Sequence, residues 1–276
     1  MSKRVAKIAM LAVALTTCNF SVKAGEIHDA AERGDLEKVK ACLAQDAKQL
    51  DSIDSKGRTV LACAVRSGKK EVAEFLIGLG ATEDIFAAIV LGHADKVATL
   101  IKQDPKLLNA KDSSGKAPLH VAALNGQPKI VQLLLAQKAD INLPDDGGFT
   151  ALHWAAMFDK SDVASVLLTN KADATIKVPR FGWTPLRLTV IHGHVATAEA
   201  LLKGGADPNI KDEENIPLLV QAVIRGKKEM VELLLAYKAE VNASDVDGDL
   251  ALDEAIESNN KELIDLLRSH GARTRK

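Results

Sequence analysis

Apolar residues in this chain come in paired short bursts separated by polar breaks. From Ala117 to Ala123 the sequence reads APLHVAA, then breaks at Leu124-Asn125-Gly126. A second burst, Ile130 to Leu135, is richer in leucine and breaks at Lys138-Ala139-Asp140. Val131, Leu134 and Leu135 stand three and four apart, the spacing that lines one side of an α-helix. The pattern predicts two short antiparallel helices, the first packed closely through Ala122-Ala123 and the second filling a core. The same pair recurs from Asp145, from Pro179 and from Asp245, with Ala155-Ala156 matching the alanines and Val231, Leu234 and Leu235 matching the core positions. The Leu or Ile that opens each first helix falls at 27, 61, 85, 119, 152, 186, 219 and 252. The steps between them are 34, 24, 34, 33, 34, 33 and 33.

Local chemistry agrees with that period. Gly57, Gly115, Gly148, Gly182 and Gly248 stand four residues before a helix-opening Leu, where a tight turn favours a positive φ. Asn215 takes that place in the seventh unit, and Asn tolerates it best after Gly. Gly34, Gly68, Gly92, Gly126, Gly193 and Gly226 mark the ends of first helices. Proline suits the first helical turn, although Pro217 comes one residue early. One such hairpin cannot bury its apolar face, so the units must stack.

A period near 33 with Ala117-Pro118-Leu119-His120, Thr150-Ala151-Leu152-His153 and Thr184-Pro185-Leu186 at the helix starts resembles the ankyrin repeat family over Gly25 to Lys276. The matching ends are Ala139-Asp140-Ile141-Asn142, Ala206-Asp207-Pro208-Asn209 and Ala239-Glu240-Val241-Asn242. The resemblance implies an all-α ankyrin-repeat solenoid of about eight helix-turn-helix repeats with short β-hairpin fingers. The repeats run 25–53, 54–81, 82–111, 112–144, 145–178, 179–211, 212–244 and 245–276. Three departures stand out. Gly78–Asp84 is too short for a finger. Lys138, Lys171 and Lys238 occupy a left-handed site where the family prefers Gly, at a cost of about 1 kcal/mol each. The charged last repeat reads as a cap.

The first 24 residues follow a different logic. Lys3, Arg4 and Lys7 precede an apolar run from Ile8 to Leu15, and Val22-Lys23-Ala24 offers a cleavage site before Gly25. This predicts a signal peptide, residues 1–24, and a periplasmic or secreted protein; the competing assignment is a buried first helix. The apolar run falls short of the roughly 20 residues that span a bilayer, so no integral membrane association is expected after cleavage. Thr17 ahead of Cys18 departs from the lipoprotein pattern. Cys42 and Cys63 then remain, at positions that want small apolar residues, and an oxidising compartment leaves a disulfide between them open. Repeat pattern and leader together are similar to an exported bacterial ankyrin-repeat protein.

Charge and chemistry narrow the function. The net charge is −1. Losing residues 1–24 removes four cations and no acid, which takes the remainder to about −5 and argues against a nucleic-acid partner. No Gly-rich phosphate loop, nucleophile elbow or Cys-His pairing is present, so no catalytic, cofactor or metal site is expected. His192 and His194 lie two apart without further ligands. The resemblance assigns His120 and His153 to holding turns between repeats.

In that family, partners dock on a concave face made by finger tips and first helices. Carried onto this sequence, the binding residues are Lys116, Leu124, Asn125, Phe149, Met157, Phe158, Phe181, Trp183, Ile191 and His192. Aromatics are only 3% of the chain, so their clustering here marks a binding face. Trp154, following His153, is assigned to the core. The expected function is a monomeric interaction module of the bacterial cell envelope that scaffolds, inhibits or protects an exported protein. The alternatives are a secreted effector that binds host proteins and a metal-dependent or hydrolytic enzyme.

Overall fold

The computed structural model describes residues 25–275, so the leader lies outside the described residues. Within them the regular structure is sixteen α-helices and two 3₁₀ turns, and the extended pairings are three isolated bridges. The described residues pack as two compact units that divide between Leu100 and Ile101.

The first unit holds α1 (Glu26–Arg33), α2 (Leu36–Gln45), α3 (Val60–Arg66), α4 (Lys70–Gly78), α5 (Ile85–Leu91) and most of α6 (Ala94–Gln103). First helices α1, α3 and α5 pack in succession, and α2 packs on α4. Gly34 ends α1 at φ 83°, and its N–H reaches the carbonyls of Ala30 and Ala31. The left-handed backbone disfavours any other residue there, and a Cβ would also push aside the Lys69 stem 2.8 Å away. Ile27, Leu43, Leu61 and Leu76 fill the core, each contributing about 1.5–3 kcal/mol of burial. Cys42 and Cys63 are free, fully buried thiols among them, acting as small apolar residues. The short step after α4 carries no finger: Asp84 caps α5 by accepting the Ala87 N–H at 2.8 Å.

The second unit repeats one hairpin five times: α7 (Pro118–Leu124) with α8 (Pro128–Ala136), α9 (Ala151–Met157) with α10 (Ser161–Thr169), α11 (Pro185–His192) with α12 (Val195–Lys203), α13 (Leu218–Ile224) with α14 (Lys228–Ala236), and α15 (Ala251–Glu257) with α16 (Lys261–Ser269). First helices pack on first helices and second on second along the series. Pro118 and Pro185 open their helices, whereas the early Pro217 becomes the N-cap and Leu218 starts α13. Lys138, Lys171 and Lys238 do take left-handed backbone, at φ 69°, 66° and 66°, as does Asn215 at 57°. Asp159 and Asn259 supply the same conformation where α9 and α15 end without glycine.

Two features are additions to the repeat. A 3₁₀ turn follows α2 at Ala47–Asp51, and another follows α6 at Pro105–Asn109. Each starts on an aspartate, Asp46 or Asp104, whose carboxylate accepts an N–H two residues on at 3.0 Å.

A candidate partner-binding face

The fingers are built on a buried or half-buried aspartate. Asp54, Asp112, Asp145, Asp212 and Asp245 each donate a backbone N–H to the carbonyl four residues later, at 2.9–3.1 Å. Each Oδ1 then accepts the N–H groups two and four residues on; for Asp145 these are Gly147 at 2.8 Å and Phe149 at 2.9 Å. Three fingers add a single β-bridge: Ile53 to Thr59, Lys211 to Pro217 and Ser244 to Leu250. At Asp54 the Arg58 N–H, with the Arg58 guanidinium, holds the carboxyl down at about 2. The sixth finger lacks the aspartate and is one residue longer, closing from the Val178 N–H to the Trp183 carbonyl at 2.9 Å.

The second carboxylate oxygen varies with the residue nine positions on. Asp145 Oδ2 accepts the Trp154 indole N–H at 2.9 Å. Asp212 Oδ2 accepts the Gln221 amide at 2.9 Å and the Arg187 guanidinium at 2.9 Å. In the last repeat the ninth residue is Glu254, and Asp245, Asp249 and Glu254 place one oxygen each within 4.8 Å of one another. Arg275 supplies the cation there, 2.7 Å from Asp249.

Histidines tie repeats together, as the resemblance implied. His120 Nδ1 accepts the Ala117 N–H at 2.9 Å, and its Nε2–H donates to the Leu143 carbonyl at 2.8 Å. His153 does the same with Thr150 and the Trp183 carbonyl, at 3.1 Å each. Accepting at one nitrogen and donating at the other requires a neutral ring. Burial supplies that state, lowering His120 and pushing His153 down to about 4.

Trp154 is the main correction to the expected site. It is half-buried rather than core, because two residues turn a helix by about 200° and so carry it away from the buried Leu152. It organises the aromatic residues of the fifth repeat. Its ring stacks on Phe158 at 5.9 Å, meets Phe149 at 5.5 Å and lies 4.7 Å from the Lys116 ammonium. Phe149 also sets its ring edge-on to His153 at 5.9 Å. Phe181 and Trp183 form a separate stacked pair at 4.5 Å, with the Arg180 guanidinium 5.3 Å from Phe181. Asn125 serves its own helix, its amide donating to the Val121 carbonyl at 2.8 Å.

Leu124, Met157 and Ile191 are half-buried and hold the same place at the ends of successive first helices. Ile224 continues the row and is 55% exposed, and Phe158 beside Met157 is 44% exposed. Ile224 is not among the residues expected on the face because no aromatic neighbours it, yet its five-residue offset from Leu219 repeats that of Ile191 from Leu186. His192 is exposed and stacks on His194 at 5.6 Å. Partial burial lowers its pKa, and His194 and Arg225 add to the effect.

Ankyrin repeats as three-copy arrays match residues 85–178, 137–212 and 205–276, and as a many-copy array residues 27–77. The chain is 29% identical over 71% of its length to ankyrin repeat protein nuc-2 of Neurospora crassa, covering 16% of that protein. It is 36% identical over 41% of its length to ankyrin repeat-containing protein ITN1 of Arabidopsis thaliana, covering 19% of it. Against the target of rapamycin complex 2 subunit AVO2 of Saccharomyces cerevisiae the identity is 28% over 41% of the chain, covering 30% of that subunit. The chain therefore spans less than a third of these relatives, and what they share with it is the repeat array. With family matches across nearly all of residues 27–276, stacked helical hairpins and histidine-tied fingers, this chain belongs to the ankyrin repeat family.

Proposed function

We propose that this protein is a non-catalytic interaction module of the bacterial cell envelope that binds a protein through the first-helix and finger face of its central repeats. The carrying observation is the grouping of Lys116, Phe149, Trp154 and Phe158 in a chain almost devoid of aromatics. A partly exposed aromatic cluster with a cation on it is the composition of an interaction hot spot. The absence of phosphate-loop and nucleophile motifs from the sequence supports binding over catalysis. The envelope assignment rests on the charge and apolar pattern of residues 1–24. No helix among the described residues is long and apolar enough to cross a membrane.

A photo-reactive amino acid replacing Phe158 in the native cell tests the face. It is expected to cross-link a protein, whereas the same probe at exposed Ser165 on second helix α10 is expected not to. Cross-links confined to Ser165 would move the site to the other side of the stack. Cell fractionation tests the location, and cytoplasmic recovery of the full-length chain would remove the envelope assignment.

A further inference from the structure

Beyond the aromatic group, the turns that follow the first helices of the central repeats form a second surface with its own chemistry. The four turn segments are Leu124–Gln127, Met157–Lys160, Ile191–His194 and Ile224–Lys227. Each opens on an apolar residue; Leu124, Met157 and Ile191 are half-buried, Ile224 is exposed, and Phe158 beside Met157 is exposed too. The polar residues beside it are mostly of one sign. Lys160, Arg225 and Lys227 carry full charges, His192 and His194 lie between them, and Asp159 is the sole acid. Asp159 accepts the Thr197 hydroxyl at 2.8 Å and sets its other oxygen 3.9 Å from His194, so it faces the histidine side of the band and leaves the three full cations unpaired.

Printed contacts join these groups across repeats. The Lys160 stem lies over Gly126 and the Lys227 stem over Gly193, so each lysine leans on the preceding repeat. His194 reaches the Met157 carbonyl at 3.1 Å and stacks on His192, which feels the charge of Arg225. Among the described residues Lys160, Arg225 and Lys227 make no ion pair, although the chain beyond residue 24 is acidic overall. A cationic band bordering an apolar row, on an acidic protein, selects a partner with apolar anchors and negative flanks.

Spacing chooses the backbone of that partner. First helices packed side by side lie ~8–10 Å apart, which sets the interval between Leu124, Met157, Ile191 and Ile224. An α-helix laid across them advances about 10 Å in seven residues, presenting one anchor per repeat. A β-strand repeats its facing side chains every ~6.7 Å, out of step with the row, and would leave backbone polar groups over apolar atoms.

We propose that this turn surface docks an acidic amphipathic helix of a partner protein, with one apolar residue per heptad seated on Leu124, Met157, Ile191 and Ile224 and carboxylates facing Lys160, Arg225 and Lys227. The proposal rests on the interaction reading above and specifies the partner's chemistry. The test is fluorescence anisotropy of the purified chain beyond residue 24 with a synthetic helical peptide of about 28 residues, four heptads at ~1.5 Å per residue. It carries Leu at every seventh position and Glu beside each Leu; a second peptide has Lys in place of Glu.

The Glu peptide is expected to bind at least tenfold more tightly than the Lys peptide, with the difference shrinking as salt is raised. Ile224→Ser is expected to weaken the Glu peptide at least fivefold. Arg225→Glu with Lys227→Glu is expected to weaken it at least tenfold and to improve the Lys peptide. All three residues are exposed, so thermal unfolding should be unchanged. Equal binding of the two peptides, no binding of either, or indifference to these substitutions would overturn the proposal. If the peptide fails while the probe at Phe158 still captures a protein, the helix chemistry falls and the interaction reading stands; if both fail, both fall.

Discussion

The fingers at 145–149 and 245–249 share one backbone device and opposite side-chain chemistry. In each, an aspartate closes the loop and accepts the N–H groups two and four residues on. Asp145 then receives the Trp154 indole N–H, whereas Asp245 faces Glu254, with Asp249 standing where the fifth finger has Phe149. Burial raises the Glu254 pKa, and the neighbouring acids Glu257, Asp249, Asp245 and Asp253 raise it further. The loop fold is therefore set by the aspartate and the glycine, while the ninth residue is free to make the tip an aromatic platform or an acidic cap.

The sharpest way to break that comparison is to remove the shared device. Asp145→Ala leaves two backbone N–H groups and an indole N–H without an acceptor in a buried site, and is expected to cost about 3 kcal/mol. Denaturant unfolding measures it, and a loss below ~1 kcal/mol would deny the aspartate its role. A smaller effect comes from giving the seventh finger the last finger's chemistry. Gln221→Glu replaces the donor to Asp212 with a like charge, and about 1–2 kcal/mol should be lost, with Arg187 limiting the damage.

The smallest effect runs the other way. Glu254→Gln turns an acid into a donor for Asp245 and is expected to stabilise by about 0.5–1 kcal/mol at pH 7, discounted for the solvent at this half-exposed site. Its sign follows from linkage. A carboxyl whose folded pKa is raised binds more protons folded than unfolded, so its presence costs stability as pH rises through the unfolded value of 4.5. The gain should thus vanish below about pH 4, and a gain that persists in acid would assign it to packing instead.

The stack itself was legible because its geometry forces particular residues into the sequence. Left-handed turns leave glycine at fixed offsets, and Asn215 and the three lysines stand out because they occupy those offsets without being glycine. The burial of Cys42 and Cys63 follows from position alone. What escaped depends on direction and partners instead of period. Trp154 looks like core when judged by the neighbouring His153, but rotation about the helix axis sends it to the face. The aspartate's second partner is invisible to a 33-residue period, since the ninth residue is Cys63, Val121, Trp154, Gln221 or Glu254 with no common chemistry. The 3₁₀ turns at Ala47–Asp51 and Pro105–Asn109 likewise belong to no repeat consensus, although Gln45-Asp46 and Gln103-Asp104 announce both.

The histidine ties are unevenly distributed along the second unit. His120 and His153 each fasten a first helix to the next finger and Arg187 does so through Asp212, but the corresponding residues further on are Val220 and Asp253. Asp253 turns back on its own helix, accepting the Leu250 N–H at 3.0 Å. In a linear array held by nearest-neighbour terms, such a gradient makes melting directional. The terminal hairpins peel away first, like a zip opened from one end, while the segment that carries the aromatic platform stays closed until last.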